Sequence, residues 1–409
     1  MNILFVSIGT LPYMSGHSIS LDLIHELYKK GHNVYAVCSN ERRNGQPTCL
    51  CEEDGYKVLR VKIGNNKNTN LIEKGISNLL LPYQYIMAIR KYYNNIKFDL
   101  IVYPTPPVTQ VLTVKYIKKR DGARSYLLLK DIFPQNAVDI GMMTKTGPRS
   151  IIYKMFRKKE KELYKVSDYI GCMSQANVDY LLKHNPYINP EKVHINQNSI
   201  EVSELKKDLD AKKSIYAKYN IPENAVTFIY GGNLGRPQGI PFVIDCLRAN
   251  ADKEDRYFVI CGKGTEYGKL KKYVEEEKPS NVLLLNGLPK EEYDVFVKAF
   301  DIGLIFLDHR FTIPNFPSRL LSYMQTSMPV LACTDPNTDI GKVIVDGGFG
   351  WWCESNDVQK FTQAVNLAIK EDLEAMGCKG YTYLNQHYTA GQGADIIDRC
   401  IDVPVKQNV

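Results

Sequence analysis

Pro314 and Pro317 stand just ahead of Ser318, Arg319 and Ser322 in the stretch Phe311 to Asp335, FTIPNFPSRLLSYMQTSMPVLACTD. This pattern suits a phosphate and sugar clamp. The prolines hold the backbone extended and delay a helix until Ser318. The first N–H groups of a helix lack internal partners and favour anions, and Arg319 adds a planar cation able to grip phosphate with two parallel hydrogen bonds. Leu320, Leu321 and Met324 recur at helical spacing, predicting a buried face; the helix should close at Ser327, before a buried strand over Pro329–Ala332. The alternative is an ordinary αβ unit that binds nothing.

A second candidate lies in the first half. SYLLLKDIFPQNAVDIG, Ser125 to Gly141, reads as a strand ending in Lys130 and Asp131. In an open α/β sheet, ligands gather beyond the carboxyl ends of strands, so Asp131 is the candidate carboxylate for facing an acceptor hydroxyl; a helix N-cap is its other role. His17, in the loop GTLPYMSGHS, would help orient that hydroxyl or serve structure alone. Gly9 and Gly16 suit a ligand loop, but no GxGxxG is present and no acidic residue ends the expected second strand, Val34 to Cys38, which argues against nicotinamide. Asp208 and Asp210 imitate a DxD metal motif. They sit among lysines in Glu201 to Tyr219, expected to be a solvated linker, so no metal site is expected.

These groups need elements to hold them. The chain opens with the apolar strand NILFVSI and a helix carrying Leu21, Ile24, Leu27 and Tyr28, ended by Gly31. FDLIVYPTPP, DYIGCMS and KVHINQNSI supply further strands. After the linker, VTFIYGGNLGRPQGIPFVIDCL repeats the strand, glycine loop and helix pattern, and YFVICGKGTEY, NVLLLNGLP and DIGLIFLD follow. With 409 residues, two α/β domains are expected, 1–204 and 205–389, doubly wound and facing a cleft, with a helix over about 390–409 returning to the first.

Charge is divided unequally. Up to Lys192 there are 28 Lys+Arg against 16 Asp+Glu, and beyond it 24 against 29. A basic half invites nucleic acid, membrane or an anionic substrate, but no nucleic-acid-binding signature accompanies it, so a membrane surface fits better. Two stretches bear on this. Asn70 to Asn95 mixes Leu, Ile and Tyr with flanking cations and would lie on a membrane interface or form a helix pair broken at Pro82. Arg149 to Lys165 places Ile152, Met155 and Phe156 on one face and Lys154, Arg157, Lys158, Lys161 and Lys165 elsewhere. No apolar run is long enough to span a membrane, the start lacks signal-peptide character, and the ten cysteines are scattered without CxxC, so a cytoplasmic location with reduced thiols is expected.

The succession of a PxxSGH-like loop, YGGNLGRPQG, ICGKG, LNGLP and PSRLLSYMQTSMPVLA resembles the retaining glycosyltransferases of family 4, with the GT-B fold, over essentially the whole chain. It is most similar to the branch that builds bacterial capsule and O-antigen units, including N-acetylfucosamine transferases. The resemblance implies metal-independent transfer of a sugar from a nucleotide diphosphate donor, with no cofactor. Its acceptor would be a saccharide on polyprenyl diphosphate at the inner membrane face. Donor contacts would fall on Gly16, Asn233, Arg236, Gln238, Lys263, Leu288, Pro314, Asn315, Phe316, Pro317, Ser318, Arg319 and Ser322. The family's donor-loop arginine and lysine are replaced here by Asn233 and Gln238, and its glutamate pair by Pro314 and Ser322. Arg236 and Arg319 would then carry the diphosphate, with Lys263 either a third contact or a surface lysine. Two other readings stay open: an inactive partner subunit, which the missing glutamates suggest, and a nucleotide-sugar 2-epimerase, which shares the two-domain fold.

Overall fold

The computed structural model describes residues 1–7, 9–66, 69, 71–203 and 209–402. The chain divides into two compact units, one of Met1–Glu201 with Tyr388–Val409 and one of Val202–His387.

Among its described residues the first unit holds eight strands: β1 (Asn2–Val6), β2 (Asn33–Glu41), β3 (Cys49–Glu53), β4 (Tyr56–Ile63), β5 (Leu100–Pro104), β6 (Arg124–Leu129), β7 (Tyr169–Cys172) and β8 (Val193–Ile195). Their order is β3-β4-β2-β1-β5-β6-β7-β8, parallel except for the β3–β4 pair. At the centre, β1 and β5 are almost wholly apolar and buried, as strands covered on both faces must be. Helix Ile19–Lys29 buries Leu21, Ile24 and Leu27 in this core; its Tyr28 is exposed and packs on Tyr56. Helix Ala390–Asp402 adds Ala394, Ile397 and Ile401 to the same core, and His32 meets Asp398 at 2.9 Å. Positions 403–409 of the expected final helix lie outside the described residues.

Several expectations are corrected here. The β3–β4 hairpin was not anticipated, although Asp54-Gly55 is a strong signal for it: both have positive φ, 48° and 83°, as a tight hairpin turn requires. Strand β2 continues past Cys38 to Glu41, so an acidic residue does end it. Leu71–Tyr92 is one helix rather than a pair. Pro82 has no N–H for the carbonyl of Asn78, and the buried Thr109 hydroxyl takes that carbonyl at 2.9 Å, so the helix continues through the proline. In helix Ser150–Val166 the buried side is Glu160, Leu163 and Tyr164, while Ile152 and Met155 are exposed.

The second unit holds, among its described residues, six parallel strands: β9 (Val226–Asn233), β10 (Arg256–Lys263), β11 (Val282–Leu285), β12 (Ile302–Phe306), β13 (Val330–Thr334) and β14 (Gly350–Glu354). The order β11-β10-β9-β12-β13-β14 is that of a doubly wound dinucleotide-type sheet, reversing between β9 and β12. The expected linker is also corrected. Leu209–Tyr219 is a helix of this unit: the buried Tyr216 bonds Thr227 at 3.0 Å, and Lys212 pairs with Asp301 at 3.0 Å. Asp210 lies in its first turn, and Asp208 is outside the described residues.

Replacing Thr109 by Val should lower stability by about 1–2 kcal/mol, because the Asn78 carbonyl would stay buried without a donor. In a Pro82→Ala background, where an N–H is restored, the same substitution should cost clearly less; equal costs in a denaturation cycle would contradict this account.

Candidate functional site

At the sheet reversal of the second unit, β9 and β12 pair only through Phe228–Ile302 and Ile229–Gly303. Beyond Gly303 they part. The Tyr323 hydroxyl bridges the gap, donating towards the carbonyls of Ile229 and Leu304 at 3.1 Å each. Gly303 is required there, since a Cβ would lie 2.4 Å from the Tyr323 ring. Tyr323 belongs to helix Arg319–Gln325, whose Leu320, Leu321 and Met324 are buried as the spacing predicts.

The crevice so formed is a cavity of ≈ 380 Å³ lined by Gly231, Gln238, Tyr293, Pro317, Ser318, Arg319 and Ser322, with Phe306 and Leu307 at the end of β12. Arg319 lies over the Tyr230 ring, 4.2 Å from its centre. Its guanidinium fills the space a side chain at Gly232 would take: a Cβ there would stand 2.1 Å from Nη2. Gly231 is similarly obligatory under the Tyr293 hydroxyl. Among the described residues no carboxylate comes within 4 Å of Arg319. Burial works against its charge, but Tyr230, Tyr323 and Tyr293 outweigh that and raise its pKa. A held cation with no carboxylate beside it, in a water-accessible crevice, has the features that an anion site requires.

The remaining donor candidates are placed unevenly. Asn233 donates to the Gln238 side-chain oxygen at 3.0 Å, and the Gly235 N–H to the same oxygen at 3.1 Å, so these two positions close the glycine loop with a neutral amide pair. Arg236 is exposed, does not line the cavity, and has Glu266 at 3.9 Å. Lys263 ends β10 and lies along Gly287. The backbone of Gly287 and Leu288 lies beside the Cys261 thiol. Pro314 is buried, and Asn315 and Phe316 are half-buried. Their segment is tied down by Asn337, which donates to the Phe311 carbonyl at 2.6 Å, and by Thr338, which donates to that of Asn315. The sequence reading missed Tyr293 altogether; nothing in its neighbours marks it, because only folding brings it to Gly231.

The first unit has its own cavity, ≈ 360 Å³, also beyond the carboxyl ends of strands. Gly9 and Thr10 follow β1, Ser39 and Glu41 end β2, Pro106 and Pro107 follow β5, and Phe133 follows β6. Phe156 packs edge-on against Phe133, ring centres 5.0 Å apart, and Asn66, Lys74 and Asn78 complete the lining. Glu41 was missed because its strand was ended too early; it pairs with Arg43 at 2.9 Å.

Asp131 stands at the end of β6 but does not line this cavity. It is no helix cap: the short helix Gln135–Asp139 begins after Pro134. One carboxylate oxygen accepts from Asn136 at 2.6 Å, and the other is buried with no partner among the described residues. Burial pushes its pKa up to about 6, and pushes that of Lys130 down to about 8. His17 is exposed, with Nδ1 3.4 Å from Asp22 and 3.7 Å from Glu201. These three place one ligand atom each within 4.8 Å of one another, yet Asp22 already accepts the N–H groups of Ser18 and Glu201. Gly16 closes a turn onto the Tyr13 carbonyl at 2.8 Å, and its loop is braced by Arg60, which holds the Leu11 carbonyl at 2.9 Å and Glu53 at 2.8 Å.

Residues 211–383, most of the second unit, match the family described as glycosyl transferases group 1. "Probable glycosyltransferase WbjE" of Pseudomonas aeruginosa is 24% identical over 330 residues, 80% of this chain and 79% of that protein. "Putative colanic acid biosynthesis glycosyl transferase WcaI" of Escherichia coli (strain K12) is 21% identical over 262 residues; the match covers 63% of this chain and 62% of that one. Among solved structures, Anabaena Alr3699/HepE in complex with UDP and glucose superposes with a TM-score of 0.69 at 14% identity, covering 98% of each chain. The fold is GT-B, and both relatives are described as glycosyltransferases.

Asp131→Asn should stabilise the protein by about 1–2 kcal/mol at pH 7. A carboxylate whose folded pKa is raised is penalised fully above about pH 6 and not at all below its unfolded value near 3.8. The gain of the asparagine variant should therefore fade as pH falls through that window. A gain that is the same at pH 7 and pH 4 would show that burial of charge is not its cause.

Proposed function

We propose that this chain is a retaining glycosyltransferase that moves an N-acetylated hexosamine or deoxyhexosamine from a UDP donor to a saccharide carried on polyprenyl diphosphate. The product would be part of a bacterial capsule or O-antigen. The observation that carries the reading is Arg319, a cation with no counter-ion among the described residues, in the crevice at the β9–β12 reversal. The UDP and glucose in the HepE complex support the donor class.

In this reading the second unit binds the donor. Arg319, with Ser318, Ser322 and the Gly231 backbone beside it, stabilises charge on the departing diphosphate. On the front-face route, that diphosphate accepts the proton of the attacking hydroxyl as the new glycosidic bond forms and the sugar–phosphate bond breaks, without a metal ion or cofactor. The first unit binds the acceptor, and Asp131 orients its hydroxyl. Its cations include Lys154, Lys158, Lys161 and Lys165 along one groove, which suits the anionic inner face of a membrane. Among the described residues no helix is long and apolar enough to cross one. An epimerase would need several carboxylates around the sugar, whereas the side chains lining the second-unit cavity include none.

UDP should raise the melting temperature of the purified chain, and Arg319→Ala should weaken UDP binding by roughly 10- to 100-fold, the worth of one charge-assisted hydrogen bond. Transfer should persist in excess chelator. Absence of stabilisation by UDP-, GDP-, dTDP- and CMP-linked compounds alike would instead favour an inactive partner subunit.

A further inference from the structure

We propose that a groove beside helix Leu71–Tyr92 seats the phosphate of a long-chain lipid, whose chain lies along the outer face of that helix. The inference rests on the lipid-linked acceptor proposed above and assigns that acceptor's lipid phosphate a place.

The groove, ≈ 510 Å³, runs between the end of β4 and the helix. Its polar side carries Arg42, Lys62, Ser77 and Gln84. Ser77 is 3% exposed, and its hydroxyl oxygen has no hydrogen-bond partner among the described residues; the same holds for the buried side-chain oxygen of Gln84. Buried polar atoms of this kind call for a partner. A Cβ at Gly64 would stand 2.8 Å from the Ser77 hydroxyl, so any side chain there would displace it. One acid, Glu73, faces the groove. It is engaged by Arg42 at 3.2 Å, by Asn65 at 2.8 Å and by Thr69. Lys62 has no acidic partner within 4 Å among the described residues.

The apolar side begins at Ile63, Ile76 and Leu80 and continues as a stripe. Ile76, Leu80, Tyr83 and Met87 are 54%, 50%, 57% and 71% exposed, at spacings that keep them on one face for about 16 Å. Two cations beside a buried hydroxyl match a phosphate, and the stripe matches hydrocarbon. A nucleotide or a bare saccharide would leave the stripe uncovered. Lys74 and Asn78, in the same helical turns, line the neighbouring cavity with Phe133 and Glu41, whose mixture of aromatic faces and polar groups suits a saccharide. One occupant therefore satisfies both sides of the helix: a saccharide joined through phosphate to a long chain.

Calorimetric titration of the full chain with farnesyl diphosphate, inorganic pyrophosphate, farnesol and phosphatidylglycerol vesicles tests this. Farnesyl diphosphate should bind at least about 30-fold more tightly than pyrophosphate or farnesol, and Lys62→Ala, Ser77→Ala and Leu80→Gln should each weaken it by about 10-fold. Because a diphosphate can also occupy the Arg319 crevice, the ranking is read in an Arg319→Ala background, and the three groove variants, with Arg319 intact, should bind UDP unchanged. The inference is overturned if pyrophosphate binds as tightly, if the groove variants titrate like the unaltered chain, or if vesicles bind while farnesyl diphosphate does not, which would make this a general bilayer face. Farnesyl diphosphate binding without any UDP binding would sustain the groove and sink the transferase reading; the reverse would do the opposite.

Discussion

Two parallel strands part, and much of the second unit's chemistry depends on how their carbonyls are satisfied. Strands β9 and β12 stop pairing after Gly303, and the Tyr323 hydroxyl lies between Ile229 and Leu304. A crevice in a sheet otherwise leaves backbone groups unpaired, at a cost comparable to a lost hydrogen bond each. The same helix that supplies Tyr323 supplies Arg319 one turn earlier. Holding the gap open and placing the cation at its mouth are thus one structural act.

Glycines at the end of β9 make room for this arrangement. Gly232 yields to the guanidinium and Gly231 to Tyr293, so residues that a sequence pattern assigns to close ligand approach are first of all needed for protein side chains. The neutral bond between Asn233 and Gln238 then closes the loop where the family pattern has two cations. Positive charge in the cavity is concentrated on one side chain. Arg319 is thus the one cation lining the cavity among the described residues, with Arg236 turned towards Glu266 outside it.

The first unit uses burial in another way. Lys130 and Asp131 follow one another at the end of β6, and burial moves both towards neutrality, the lysine downwards and the aspartate upwards. Such a carboxyl changes charge closer to neutral pH than an exposed aspartate does. The adjacent loops are held by charges from the hairpin: Arg60 and Glu53 on β4 and β3 fix the Leu11 and Met14 backbone. The proline in helix Leu71–Tyr92 is likewise accommodated from outside, by Thr109.

Periodicity and turn chemistry determined much of this protein by themselves. Apolar runs ending in glycine or polar residues marked β1, β5, β6 and every strand from β9 to β13, and the two prolines before Arg319 located the helix that bears it. Local signals suffice there because a strand covered on both faces must be apolar along its length. Asp54-Gly55 was an equally local signal that went unused. Other features had no local signal. Whether Leu209–Tyr219 is a linker depends on Thr227 and on Asp301, the latter far away in sequence. Whether Pro82 breaks a helix depends on Thr109. That Glu41 still belongs to β2 depends on its partner Ile63. The lack, among the described residues, of a carboxylate beside Arg319 or a partner for the Ser77 hydroxyl, and the position of Tyr293, were likewise decided by tertiary packing alone, because burial and pairing are properties of what the rest of the chain brings alongside.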